Sequence, residues 1–263
     1  MKLLQKIYIA LIVFSLNYTY THAMAIQNDK ESILALGMEM SNMRDMLEAY
    51  IMIGAKIEYK NPTQKLQDGI LHYEDLILSI QKKYKDDTQI QTSVTASLKA
   101  WKHVKEAMLL ALNNETLEKM KTGAIFIHGN IRTVIKELAK MKQHFLDKSN
   151  IKNKEALNAS MEIAASSRRL SAHYMMDLWH LDDPTIQAHW NKGLKIYGDS
   201  IKILKHSSYM NNKKFNRLLK QCISYHKYFT KMGNKQKIYS ILIDKKADIA
   251  FRKAKEMTEI ILQ

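Results

Sequence analysis

Arg168 is the side chain in this sequence best placed to do chemistry. It lies in the stretch Asn158 to Leu178, NASMEIAASSRRLSAHYMMDL. A guanidinium offers a planar fork of donors that matches a small oxyanion or a carboxylate, and partial burial beside a helix seam strengthens that contact. Ser167, Ser171 and His173 are close by on the same stretch and would complete a small polar pocket, so the candidate ligand-binding set is Arg168, Ser167, Ser171 and His173. The competing assignment is structural, with Arg168 paired to an Asp or Glu of a neighbouring helix.

Other constellations carry less. Cys222 and His226 are four residues apart, so on a helix both could reach one metal, but a structural site needs about four ligands. A buried Cys beside a surface His is the expected arrangement. His173 and His180 lie two turns apart, which is no ligand spacing by itself. No Glu-x-x-His pair of a di-iron bundle and no Cys-x-x-Cys-His haem attachment is present. The 16 methionines, five of them crowded between Met38 and Met52, are expected to be flexible core filler. Acids and hydroxyls are scattered without a glycine-rich elbow to present a nucleophile, so no enzymatic activity and no cofactor are expected.

These residues must be positioned by helices. With 8 Gly and 2 Pro in 263 residues the chain has few of the breakers that β folds need. Ile33, Leu36, Met40, Met43, Leu47, Tyr50, Gly54 and Ile57 alternate three- and four-residue spacings, the seam of a helix expected over 31–60. Further helices are expected over 65–84, 89–112 and 115–145, with Gly123 and Gly129 admitting a bend in the last. After a polar linker from Asp147 to Asn153 the pattern restarts, with helices over 158–178, 185–205, 212–232 and 235–262. In the fifth, Ser160, Ser167 and Ser171 leave room for a second backbone, while Arg168 flanks the seam and Arg169 points further out.

The two halves read as a degenerate repeat. Met38-Glu39-Met40 corresponds to Met161-Glu162-Ile163, Leu47 and Ala49 to Leu170 and Ala172, Asn61-Pro62-Thr63 to Asp183-Pro184-Thr185, Gly69 and Tyr73 to Gly193 and Tyr197, and Trp101 to Tyr225. The same ungapped alignment sets Arg44 against Ser167 and Asp45 against Arg168. A carboxylate at that place competes for the cation, so the first half is expected to be structural or to bind a protein. The expected architecture is all-α: two tandem up-down antiparallel four-helix units over 26–147 and 153–263. One longer bundle pairing helices across the halves is the alternative.

The run Ile163-Ala164-Ala165-Ser166-Ser167-Arg168-Arg169-Leu170-Ser171 resembles the signature Leu-Ala-Gly-Arg-Gln-Arg-Met-Leu-Ser of the N-terminal domain of type IV pilus methyl-accepting chemotaxis transducers (PilJ-type). That domain is similar to the periplasmic helical domain of nitrate/nitrite sensor kinases. Ala164, Arg168, Leu170 and Ser171 match in identity, while Ala165 stands for the Gly and Ser166-Ser167 for Arg-Gln. The resemblance implies an all-helical periplasmic domain and an arginine-lined anion site at a dimer interface, carried here by Arg168 alone.

Residues 1–25 read as a cleaved export signal: Lys2 and Lys6, an apolar run from Ile7 to Leu16, and Ala23-Met24-Ala25 as the cleavage site. A periplasmic mature chain from Ile26 is expected. Loss of Lys2 and Lys6 takes the formal charge from +15 to +13, a balance that suits an anionic surface or an acidic partner. Nucleic acid is not expected, since no phosphate loop or RNA-binding signature occurs. Cys222 is the single cysteine, so stability must come from the core. The functional expectation is a ligand-sensing or adaptor module. It would bind a small oxyanion or carboxylate, pair with a membrane-bound transducer or other envelope protein, and leave room for a homodimer. The alternative is a structural or interaction protein of the cell envelope that uses its basic surface and takes no small ligand.

Overall fold

The computed structural model describes residues 26–113, 115–232 and 240–263. The expected export signal lies outside these residues. Among these residues eight α-helices follow one another: α1 Asp29–Gly54, α2 Pro62–Lys83, α3 Thr88–Leu112, α4 Leu117–Lys148, α5 Lys154–Leu178, α6 Ile186–Lys205, α7 Lys213–Met232 and α8 Ser240–Leu262. A short 3-10 turn, Ser208–Asn211, precedes α7. No strand occurs among the described residues, and no helix there is long and apolar enough to cross a membrane.

Each half closes into its own four-helix unit. α1 packs on α2 and α4 and α3 on both α2 and α4; in the second half α5 packs on α6 and α8, and α7 on both α6 and α8. The repeat seen in the sequence is thus a repeat of packing. Equivalent tyrosines make the point: Tyr73 of α2 bonds Ser97 Oγ of α3 at 2.8 Å, and Tyr197 of α6 donates to the Cys222 carbonyl of α7 at 3.1 Å. Burying a phenol stabilises a bundle only if its hydroxyl finds a partner, and both copies solve this between the same two helices.

α1 and α5 are the central pair. They pack against each other as well as against their own units, and buried residues occur around most of their circumference. A helix apolar on nearly every side belongs in the interior. The two run parallel and in register: a Cβ on Gly37 would meet Met161, Asp45 meets Arg168, and Glu48 meets Ser171. The residues that the repeat makes equivalent therefore face each other across a pseudo-two-fold axis. The expected methionine filler is here, since Met38, Met40, Met43, Met46 and Met52 are all buried.

α1 stops at Gly54 rather than near residue 60, for a reason the sequence conceals. Ile57 N–H donates to Met52 O at 2.8 Å and Lys56 N–H to Ile53 O at 3.1 Å, with Lys56 left-handed at φ 56°. This is a Schellman stop built on a lysine, with no glycine to announce it. α5 ends the same way: Leu181 N–H donates to Met176 O, His180 N–H to Asp177 O, and His180 has φ 52°. α4 runs unbroken through Gly123 and Gly129.

A Cβ at Gly54 would come within 2.3 Å of two ring atoms of Trp179, the residue that caps α5. Gly54→Ala is expected to destabilise the fold by about 1–3 kcal/mol through overpacking. Gly129→Ala, where a Cβ meets nothing within 4 Å, should instead gain roughly 0.5–1 kcal/mol from helix propensity. Urea denaturation of the two variants checks the pair; equal effects would mean that the ends of α1 and α5 do not close on each other.

Candidate functional site

The polar chemistry of the molecule gathers on two flanks of the α1–α5 seam. The first involves α2, α8 and the α1–α2 loop. Arg168, 6% exposed, lies with Nη1 3.0 Å from Asp45 and 3.7 Å from Asp244, with Nη2 bonded to Asp248 and its guanidinium 5.0 Å from the Phe251 ring centre. Lys65 adds a second cation 2.8 Å from Asp45, and Lys60 a third, 3.1 Å from Asp244 and bonded to Asp248. Lys60 and Asn61 are successive left-handed residues, at φ 56° and 47°, a conformation that costs non-glycine residues free energy. It swings Lys60 into the cluster while the Asn61 side chain caps α2 through Gln64 N–H.

Glu48, fully buried, completes this flank and accepts the Ser171 hydroxyl. Burial pushes its carboxyl up to about 8; Lys65 and Arg168 oppose the shift, and Asp244 and Asp45 reinforce it. Carboxylate oxygens of Asp45, Glu48 and Asp244 lie within 4.8 Å of one another, a spacing that a metal ion can bridge. Lys65 and Arg168 already fill that role as tethered cations. With Glu48 protonated, Asp45, Asp244 and Asp248 balance Lys60, Lys65 and Arg168 one for one. A cleft of about 420 Å³ lined by Asn42, Asp45, Lys60, Gln64, Lys65 and His72 opens onto the cluster.

The second flank involves α4 and α6. His128 Nδ1 is 2.8 Å from Asp183 and His128 Nε2 is 3.0 Å from His173 Nε2. The His189 ring stacks on His173 at 5.6 Å between centres, and its Nε2 is bonded by Arg132. Burial lowers all three imidazoles, Asp183 opposing the shift at His128 and neighbouring cations reinforcing it at His173 and His189, the last pushed down to about 4. The proton positions follow from chemistry. Asp183, itself held low by Thr185 and His128 against its desolvation, only accepts, so His128 carries its proton on Nδ1 and offers a lone pair at Nε2. His173 must then donate from Nε2, which leaves its Nδ1 lone pair buried and without a hydrogen-bond partner.

Three arginines stand one turn from the His128–His173 contact. Arg132 follows His128 by four residues on α4, and Arg169 precedes His173 by four on α5. α4 runs antiparallel to α1 and hence to α5, so Arg132 and Arg169 come to the same level. Arg44 of α1 reaches that level through the register of α1 with α5. Among the described residues, no carboxylate pairs with any of the three within 4.0 Å. Arg44 donates to the Met40 carbonyl, and Arg169 Nη1 is buried without a hydrogen-bond partner. Burial and Arg169 hold Arg44 below the ordinary guanidinium value, and burial holds Arg169 below it too, with Glu162 opposing in both cases. Since guanidinium keeps its proton, the direction reports first the cost of burying charge, to which the neighbouring guanidiniums add.

The four residues singled out from the sequence are therefore not one pocket. Arg168 and Ser171 border the carboxylate cluster, Ser167 donates within its own helix to the Ala164 carbonyl at 2.8 Å, and His173 belongs to the histidine flank. The arginine that flanks α5 on the other side, Arg169, lies half-buried against α6, with its Cδ 3.2 Å from where a Gly193 Cβ would be, rather than pointing out. Cys222 and His226 do not converge: burial pushes the thiol up to about 12, and His226 Nε2 bonds the Leu194 carbonyl at 3.0 Å. Sequence reasoning missed Arg132, His128 and His189. The visible signal was the pair of i, i+4 His/Arg steps, His128–Arg132 and Arg169–His173.

No protein-family model matches the chain, and no match was found among curated proteins or solved structures.

Proposed function

We propose that this chain is an exported, non-enzymatic helical module that senses a small anion, or receives a partner protein, through the seam between its two units. The observation that carries this reading is the uneven charge about α1 and α5. One flank balances three cations with carboxylates, whereas the other gathers Arg44, Arg132 and Arg169 with no carboxylate of the described residues within 4.0 Å. Like charges gathered on partly buried side chains are costly unless a counter-ion joins them, so an anion is the natural guest. Export rests on the basic, apolar and Ala-x-Ala segments of residues 2–25.

The mechanism is a small shift of packed helices. An anion that binds better in one arrangement of α1, α4 and α5 moves the population toward it by its differential affinity. A membrane-bound transducer or another envelope protein would receive that change. The carboxylates beside Arg168 are tied up in ion pairs, which favours a structural role over catalysis there.

A thermal-shift titration of the purified protein against nitrate, nitrite, small carboxylates and phosphate at fixed ionic strength tests the reading. A ligand that binds only the native state, at about 100 times its dissociation constant, adds about 2.7 kcal/mol of stability. A saturable rise in Tm for at least one anion is expected. A flat response to all of them, with salt-sensitive adsorption to anionic vesicles, would replace this reading with that of an envelope protein acting through its basic surface.

A further inference from the structure

The flank formed by α1, α4, α5 and α6 specifies its guest more closely than "anion". The inference rests on the anion-binding reading and names the ligand class for it. Charge comes first. Arg44, Arg132 and Arg169 supply three positive charges from three helices, Lys192 adds to the field at His189, and Glu162 is the carboxylate whose field reaches Arg44 and Arg169. A singly charged guest would leave most of that excess uncompensated, whereas a doubly charged oxyanion offers several oxygens to several guanidiniums.

The proton pattern comes second. The chain Asp183, His128, His173 is directional: each member accepts from or donates to the next, and it terminates in the lone pair of His173 Nδ1. His173 is 6% exposed, so this acceptor is cut off from bulk water. An unsatisfied buried acceptor is expensive, and what it lacks is a donor. Arg169 Nη1, four residues earlier on the same helix, is a buried donor that lacks an acceptor. A guest that both accepts and donates satisfies both.

Access is the third point. Arg132 is exposed while Arg44 and Arg169 are half-buried, so the cluster meets solvent at Arg132.

We infer that Arg44, Arg132 and Arg169 bind hydrogen phosphate, a dianion that still carries one proton, with its hydroxyl donating to His173 Nδ1. Oxygens of the guest accept from the three guanidiniums. Sulfate matches the charge and the shape but has no hydrogen for His173, and nitrate has neither the second charge nor the hydrogen. The site therefore ranks phosphate above sulfate and sulfate above nitrate.

Isothermal titration calorimetry of the purified protein with inorganic phosphate, sulfate and nitrate, at one pH near 7 and constant ionic strength, measures the ranking. Saturable one-to-one phosphate binding is expected, at least tenfold tighter than sulfate. Arg169→Gln and Arg132→Gln should each weaken phosphate at least tenfold. Arg132 is exposed, so its variant keeps the fold and the test survives even if the Arg169 variant does not. His173→Phe should weaken phosphate toward the level of sulfate while leaving sulfate nearly unchanged. Unaltered phosphate binding in Arg132→Gln, or no saturable phosphate binding in the parent, overturns the site. Sulfate binding as tight as phosphate overturns the role of His173. Nitrate or carboxylate binding that survives in both arginine variants would refute this site and still leave the anion-sensing reading in place.

Discussion

Replacing Arg168 by methionine is expected to cost about 3–5 kcal/mol of folding stability, measured as a fall in the urea midpoint at neutral pH. Methionine keeps most of the volume and the contact with Phe251, so the loss is of charge rather than of packing. It leaves Asp45, Asp244 and Asp248 sharing only Lys60 and Lys65, with Asp244 1% exposed and out of reach of compensating water. The pH dependence has a definite sign. Arg168 and Lys60 hold the Asp248 carboxyl below its ordinary value against its own desolvation. A depressed carboxyl contributes stability that is present above its unfolded pKa and lost as pH falls through its folded one. The deficit of the variant should therefore be full at pH 7 and shrink as pH falls below 4. Adding Asp248→Asn to Arg168→Met should restore part of the loss, since the orphaned carboxylate goes with its partner. A cost under about 1 kcal/mol, flat with pH, would mean that the arginine is no structural partner, and would return it to the list of ligand-binding side chains.

The fold was legible because the helices are long and their stripes are regular. The first seven begin within a few residues of the expected place, the expected start of the eighth lies outside the described residues, and Asn28, Asn61, Asp87, Thr116 and Asn153 cap the first five through side-chain oxygens. The repeat also carried through into space, since Asp45 and Arg168, paired in the alignment, are an ion pair in the structure. The ends of α1 and α5 were hidden, because Lys56 and His180 fill left-handed positions that glycine usually marks. The site was hidden more deeply. Periodicity identifies an apolar stripe but not the rotation at which the neighbouring helix meets it, and α1 and α5 are buried on nearly every side. Whether Arg168 met an anion or a carboxylate depended on Asp244 and Asp248 of α8, about 80 positions away in the sequence. Likewise the arginine flank exists only because α4 runs antiparallel to α5, which turns two unrelated His/Arg steps into one cluster.

Glu48→Gln should stabilise the protein, by an amount that grows with pH. The carboxyl is fully buried, Oε1 accepts from Ser171, and Oε2 has no hydrogen-bond partner. Its folded value of about 8 lies above the ordinary 4.5, chiefly because burial penalises the ionised form. Between those limits the folded state keeps a proton that the unfolded chain has released, so stability falls as pH rises, by up to about 1.4 kcal/mol per unit. Below 4.5 and above 8 the two states carry the same charge and the slope vanishes. Glutamine keeps the oxygen that Ser171 uses and never ionises. Its advantage should therefore be near zero at pH 4 and reach on the order of 3 kcal/mol by pH 8, less than the isolated shift gives because Lys65 and Arg168 share the titration. Thermal or urea unfolding of both proteins at pH 5, 6, 7 and 8 measures the slope directly. A difference that does not change over that range would mean that Glu48 is already ionised in the fold. Four carboxylates would then face Lys60, Lys65 and Arg168, and the spare negative charge between Asp45, Glu48 and Asp244 is the composition that recruits a cation.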